Sequence, residues 1–249
     1  MRSMKLFKKN EVTFAVVLIV IYVVGSSVMQ RISAAVGTEF IAEMIFCAAM
    51  AVCLAVFIGK NGLSGYTGLK KPEVSAAKML FYIPLLLIGG CGAFFGMGME
   101  YGVTVSILRT VMMIFVGFIE EVIFRGFLFR GIAKRDLTRG VVISSLTFGI
   151  GHFVNLLNGS DIFGSTIQVI YAVAAGFLLV FIFLRTQSII PCIVFHSFNN
   201  CMTAFTTADR LIDRFGENKA VLLCVGIQLA VTALYLIYVM RLPKKELHA

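Results

Sequence analysis

Charge is scarce in this chain. Charged residues fill only 14% of its 249 positions, where an ordinary water-soluble domain carries about a quarter. No C-x-x-C pair, no H-E-x-x-H motif, no internal repeat and no low-complexity tract occurs, and no polar stretch is long enough to form a separate soluble domain. These absences exclude a disordered chain, a secreted disulfide scaffold and the usual zinc-protease helix. What fills the space is apolar: 59% hydrophobic residues and a mean hydropathy of +0.94. One globule of this length cannot bury that much apolar surface and still keep a polar skin. A soluble enzyme is therefore excluded as well, and the chain belongs in a bilayer.

Spanning the roughly 30 Å hydrocarbon layer takes about 20 apolar residues of helix. About eight runs qualify: 12–29, 40–59, 79–98, 103–129, 141–157, 166–184, 189–205 and 220–240. The expected fold is an all-α, polytopic integral membrane bundle of about eight transmembrane helices. The first run follows a basic stretch, but its apolar core is too long for a signal peptide and no small-residue cleavage site ends it.

The formal charge is +9, with 22 Lys and Arg against 13 Asp and Glu. The cations lie in short groups between apolar runs, such as Lys5, Lys8 and Lys9 or Lys134, Arg135 and Arg139. That placement is topogenic and suited to membrane lipid; it offers no basic face for nucleic acid. With the N-terminus inside, seventeen cations fall on the cytoplasmic side. The other side receives five: Arg31, Arg109, Arg210, Arg214 and Lys219. Both termini are therefore expected in the cytoplasm, the last cations of that set being Lys244 and Lys245. The six cysteines all sit in apolar runs and read as small buried hydrophobes.

An ionisable group at bilayer depth needs a reason. Glu11, Glu39, Glu73 and Glu100 lie at span ends or in loops, His248 lies on the tail, and Glu43 and Arg109 are close enough to a span end to snorkel. Five groups are left: Glu120, Glu121, Arg125, His152 and His196. Glu121 lies nine residues before Arg130, His152 thirteen after Arg139, and His196 eleven after Arg185. At about 1.5 Å per residue, three separate helices carry these groups to one depth, roughly 14–20 Å from a cytoplasmic charge. Polar groups at one level can form one buried site.

Spacing suggests roles. Glu121 and Arg125 stand i and i+4 in the favourable order, as an ion pair does. Glu120 is turned about 100° away and can address another partner as a general base. His196 and Asn200 share a face, and an amide can donate to a developing oxyanion. Phe148 and His152 share another, with Gly149 and Gly151 leaving room beside the ring. Asn199 is expected to bond a neighbouring helix, Asn155 and Asn158 to lie near a loop, and Met112 and Met113 to pack.

In order, the chain reads E-E-x-x-x-R from Glu120 to Arg125, F-x-x-x-H from Phe148 to His152, and H-x-x-x-N from His196 to Asn200. This series resembles the signature of the CAAX prenyl protease and bacteriocin-processing family of intramembrane proteins, also called the Abi family. The resemblance covers 103–205, with the loop 65–72 similar to the family's lead-in. It implies peptide-bond hydrolysis inside the membrane. Glu120 and His152 would activate water, His196 and Asn200 would form the oxyanion site, and Glu121 with Arg125 would orient it. It implies no cofactor or metal, and a peptide or prenylated protein as substrate.

The chain then divides into N-terminal spans and a cytoplasmic loop (1–102), a catalytic core (103–205), and a last span with its tail (206–249). A multi-pass protein of a bacterial cytoplasmic membrane is the expected setting. Three other readings use the same residues. Two histidines and one or two glutamates can hold zinc. Buried Glu and His also build proton relays in transporters. A bacteriocin-immunity or scaffold protein can keep a silent site. The sequence carries no signal for oligomeric state.

Overall fold

The computed structural model describes residues 2–99, 102–207 and 209–243, so Glu100, Lys244, Lys245 and His248 lie outside the described residues. A short amphipathic helix α1 (Arg2–Lys9) leads into α2 (Glu11–Val36), which Asn10 caps by accepting from Thr13 N–H at 2.9 Å. Helix α3 (Ile41–Lys60) returns alongside it, and a loop with the one-turn α4 (Ser64–Thr67) follows. Next come α5 (Ile83–Gly90) and α6 (Val103–Glu121). The latter runs without interruption through a π-helical stretch, Val122–Phe129, into α7 (Arg130–Ala133). Helix α8 (Leu137–Ile150) passes through a 3-10 turn to α9 (Val154–Leu157). Then follow α10 (Ile162–Thr186), α11 (Ile190–Met202), α12 (Asp209–Phe215) and α13 (Glu217–Arg241). Asp136 and Asp161 cap α8 and α10 by the same side-chain device as Asn10. Among the described residues the fold is all helical, apart from one isolated bridge between Met97 and Thr206.

Among the described residues, six helical segments are long and apolar enough to cross a membrane: Glu11–Val36, Ile41–Lys60, Ala76–Phe94, Leu137–Leu157, Ile162–Thr186 and Glu217–Arg241. Each coincides with an apolar run of the sequence. The other two runs differ for physical reasons. Helix α6 with its π extension carries Arg109, Glu120, Glu121 and Arg125, too many charges for a lipid-facing rod. Helix α11 has only 13 residues, about 20 Å at an α-helical rise.

The third run is not one regular helix. Leu80, Phe81 and Tyr82 adopt left-handed φ values of 51–58°, which breaks the span just before Pro84 restarts it as α5. Proline fits the first turn of a helix, where its missing N–H costs no intrahelical bond. The break leaves a carbonyl on Met79, and the buried Tyr235 hydroxyl of α13 donates to it at 2.8 Å.

Around α6 and the π stretch the other helices form a sleeve. Helices α3 and α11 pack on α6, α2 and α8 flank the π stretch, and α10 lies between α8 and α13. One hydrophobic core runs through all of these elements, from Phe7 to Val239. Every residue from Val122 to Gly131 is buried, so this is the central rod. Three cations counted in the sequence as cytoplasmic signals are inside the protein: Arg125, Arg130 and Arg185. Arg185 donates to the Val239 and Met240 carbonyls at 2.9 and 2.7 Å, capping α13. Their burial reflects packing duty, so these three cannot serve as sidedness signals.

Candidate active site

Glu120 and Glu121 are the last residues of α6, and both are buried. Charge at that depth must be paired. Arg125 Nη1 meets Glu121 Oε1 at 2.9 Å, with both side chains at 0% exposure. The guanidinium also lies 4.1 Å above the Phe148 ring centre, a cation–π seat. The sequence reads this segment as ordinary α-helix. The structure winds Val122–Phe129 with π spacing instead, a local geometry that recurs at functional sites.

Helix α11 brings His196 against this pair. Its Nδ1 is 2.9 Å from Glu121 Oε1 and its Nε2 is 3.7 Å from Glu120 Oε2. A carboxylate bridging Arg125 can only accept, so Nδ1 carries hydrogen and Nε2 is the ring nitrogen turned to Glu120. Glu121 is thus more than an ion-pair partner: it also sets the tautomer and tilt of the imidazole. The helices must approach closely for this. A Cβ at Gly117 would lie 2.3 Å from Ser197 Oγ and 2.8 Å from its backbone nitrogen. Gly117→Ala is expected to push α11 off α6, lowering stability by about 1–3 kcal/mol and pulling His196 away from both glutamates. Thermal melting in detergent, read beside turnover, checks both effects.

His152 lies in the 3-10 turn after α8. Its Nδ1 is 3.0 Å from the Phe148 carbonyl. A carbonyl has no proton to give, so Nδ1–H donates and Nε2 is the free lone pair. Phe148 stands between the two histidines, its ring centre 5.4 Å from His152 and 5.5 Å from His196. Gly149 does not make room for the imidazole, as its place in the sequence suggests; a Cβ there would strike Val173 at 2.3 Å, so it sets the α8–α10 contact. Gly151 has open space and lines the cavity.

Two cavities meet at His152 and Asn200. One, of 370 Å³, lies among α2, α3, α6 and α9 and reaches Glu120. The other, of 530 Å³, lies among α5, α10, α11 and α13 and reaches His196. Glu120, His152, His196 and Asn200 therefore converge from three helices, and Glu121 with Arg125 sits behind them. Asn199 bonds another helix: Tyr171 of α10 donates to its Oδ1 at 2.8 Å. Its own amide lies 3.5 Å from Asn200 Oδ1, which leaves the Asn200 NH2 as the group available to a substrate oxygen.

Some residues behave differently from the sequence expectation. Glu43 does not snorkel; it is buried and hydrogen-bonded by Ser33, on the wall of the smaller cavity. Arg109 reaches Thr203 Oγ1 at 3.2 Å on that wall. Asn155 and Asn158 do lie beside the loop after α9, as expected, and they line this cavity too, bonded to Gln168 and Ser27.

Tyr22 is the residue that sequence reasoning missed. Its hydroxyl donates to Glu120 Oε1 at 2.8 Å. A signal for it was present: Tyr22 lies thirteen residues after Lys9, about 20 Å from that charge, at the depth of the other groups. A tyrosine hydroxyl buried there needs a partner.

Among the described residues, no group of three or more His, Cys, Asp or Glu side chains is arranged to hold a metal ion. Residues 102–202 match the family model described as type II CAAX prenyl endopeptidase Rce1-like. The matched stretch is the part of the chain that carries the three motifs, and it supports the CAAX protease family. No curated protein matches the chain significantly.

Proposed function

We propose, from the premise that residues 102–202 are a CAAX-type membrane protease segment, that the chain hydrolyses a peptide bond inside the bilayer with Glu120 as general base. The observation that carries this reading is the Glu120 carboxylate, 3.7 Å from His196 Nε2 and sharing a cavity wall with His152 and Asn200. A water held between Glu120 and His152 Nε2 gives its proton to Glu120 as its oxygen attacks the scissile carbonyl. The carbonyl oxygen becomes an oxyanion, to which the Asn200 amide donates together with the Nε2–H of a doubly protonated His196, an imidazolium whose Nδ1–H stays on Glu121. Glu120 then passes its proton to the departing amine, and the C–N bond breaks. Glu121 and Arg125 hold His196 in place, and Tyr22 fixes the rotation of the Glu120 carboxylate.

The substrate in this reading is a peptide or prenylated protein presented near the cytoplasmic leaflet of a bacterial cytoplasmic membrane. Eight crossings would leave both termini on that side, with the hydrolytic machinery confined to 103–205. Comparing membrane peptidomes of cells carrying the wild-type protein and Glu120→Gln tests activity and substrate together. Peptides processed only with the wild type are expected, with cleavage by purified protein indifferent to chelators. Identical peptidomes, or proton or solute flux lost on the same substitution, would overturn the proposal; cleavage abolished by chelation would move it to a zinc enzyme.

A further inference from the structure

A cleft of 520 Å³ opens at the basic end of the bundle, between the α1–α2 junction and the turn joining α7 to α8. Lys8 and Lys9 come to it from the end of α1, and Lys134, Arg135 and Arg139 from the opposite wall. Two carboxylates share the walls, and both are engaged. Glu11 accepts from Lys134 Nζ at 2.6 Å and from the Tyr66 hydroxyl at 2.9 Å. Burial, helped by that hydrogen bond, pushes the Tyr66 hydroxyl well above the ordinary phenol range, so it stays a donor. Asp136 caps α8 and pairs with Arg139 Nε at 3.2 Å. Five cations thus face two occupied acids. Among the described residues, Lys8, Lys9 and Arg135 pair with no carboxylate.

Three positive charges in excess call for an anion. The cleft's position and lower walls say what kind. It sits where the spans Glu11–Val36 and Leu137–Leu157 begin, at headgroup level for a protein so placed. Val12 and Ile143 line its floor, and exposed Val16, Val142 and Leu146 continue the aliphatic surface along α2 and α8. The two walls come together because position 131 is glycine: a Cβ there would stand 3.2 Å from Glu11 Cβ and Val12 Cγ2. Cations above and aliphatic side chains below match the two parts of one amphiphile.

We infer that this cleft holds the phosphate headgroup of an anionic phospholipid, with an acyl chain laid along α2 and α8. The test is melting of the purified full-length protein in neutral detergent, titrated with phosphatidylglycerol, phosphatidylcholine or soluble glycerol phosphate. Phosphatidylglycerol is expected to stabilise the wild type saturably, and the other two are not. In Lys9→Gln/Arg135→Gln its apparent affinity is expected to fall about 25-fold, roughly fivefold for each cation. The exposed pair Lys71→Gln/Lys78→Gln removes equal charge away from the cleft and is expected to keep wild-type affinity. Three results would overturn the inference: equal stabilisation by phosphatidylcholine, equal loss in both double variants, or glycerol phosphate acting as well as the lipid. Arg139 is left in place because it supports Asp136.

Discussion

Glu120→Gln is expected to lower kcat by roughly two to four orders of magnitude, the range a positioned general base supplies, while melting temperature and KM stay close to wild type. The amide keeps the shape of the carboxylate, and its oxygen can still accept from Tyr22, whose hydroxyl holds Oε1 at 2.8 Å. What disappears is the ability to take a proton from water. Tyr22→Phe separates orientation from chemistry: it removes one hydrogen bond, worth about 1 kcal/mol, and should cost about tenfold or less. Stopped-time cleavage of an identified peptide by both variants, beside thermal melting, measures the separation. Full turnover by Glu120→Gln would remove this residue from the reaction, whatever its neighbours do.

The second large effect is on stability. Arg125→Ala is expected to cost about 3–5 kcal/mol, because it leaves a buried carboxylate without its counter-charge. Glu121 and Arg125 are both at 0% exposure, so water cannot step in. Turnover should fall with stability, since His196 Nδ1 bonds the same Glu121 oxygen that Arg125 holds. Glu121→Gln/Arg125→Met removes both charges at once and should melt well above the Glu121→Gln and Arg125→Met single variants, closing a double-mutant cycle with a large coupling energy. Its activity should nonetheless stay low, because no carboxylate then fixes the imidazole. Melting of the four proteins in detergent, with cleavage measured on the same samples, checks both statements. Additive melting changes would show that the two side chains do not depend on each other.

The apolar runs made the bundle legible because lipid demands unbroken stretches of one chemistry, and every run has a helical counterpart. The three motifs were legible because ionisable residues in such runs are few. Other features depend on contacts that spacing along one strand of sequence cannot carry. The π spacing of Val122–Phe129 has the same composition as an α-helix. The left-handed turn at Leu80–Tyr82 had only Pro84 to announce it. Tyr22 finds its carboxylate 98 residues away. Glu43 looked solvated from its place near a span end, yet Ser33, ten residues earlier on the neighbouring helix, satisfies it. Tertiary partners decided each of these cases.

The central rod turns with two different pitches, regular up to Glu121 and wider from Val122 to Phe129. Its upper half faces His196, and its lower half sets Arg130 toward Tyr66 and Phe183. A conservative exchange of side chains along the wide stretch leaves this phase relation intact. Losing a single amino acid from it would tighten the winding and twist one half against the other, so the gene should accept point changes there far more readily than in-frame codon deletions.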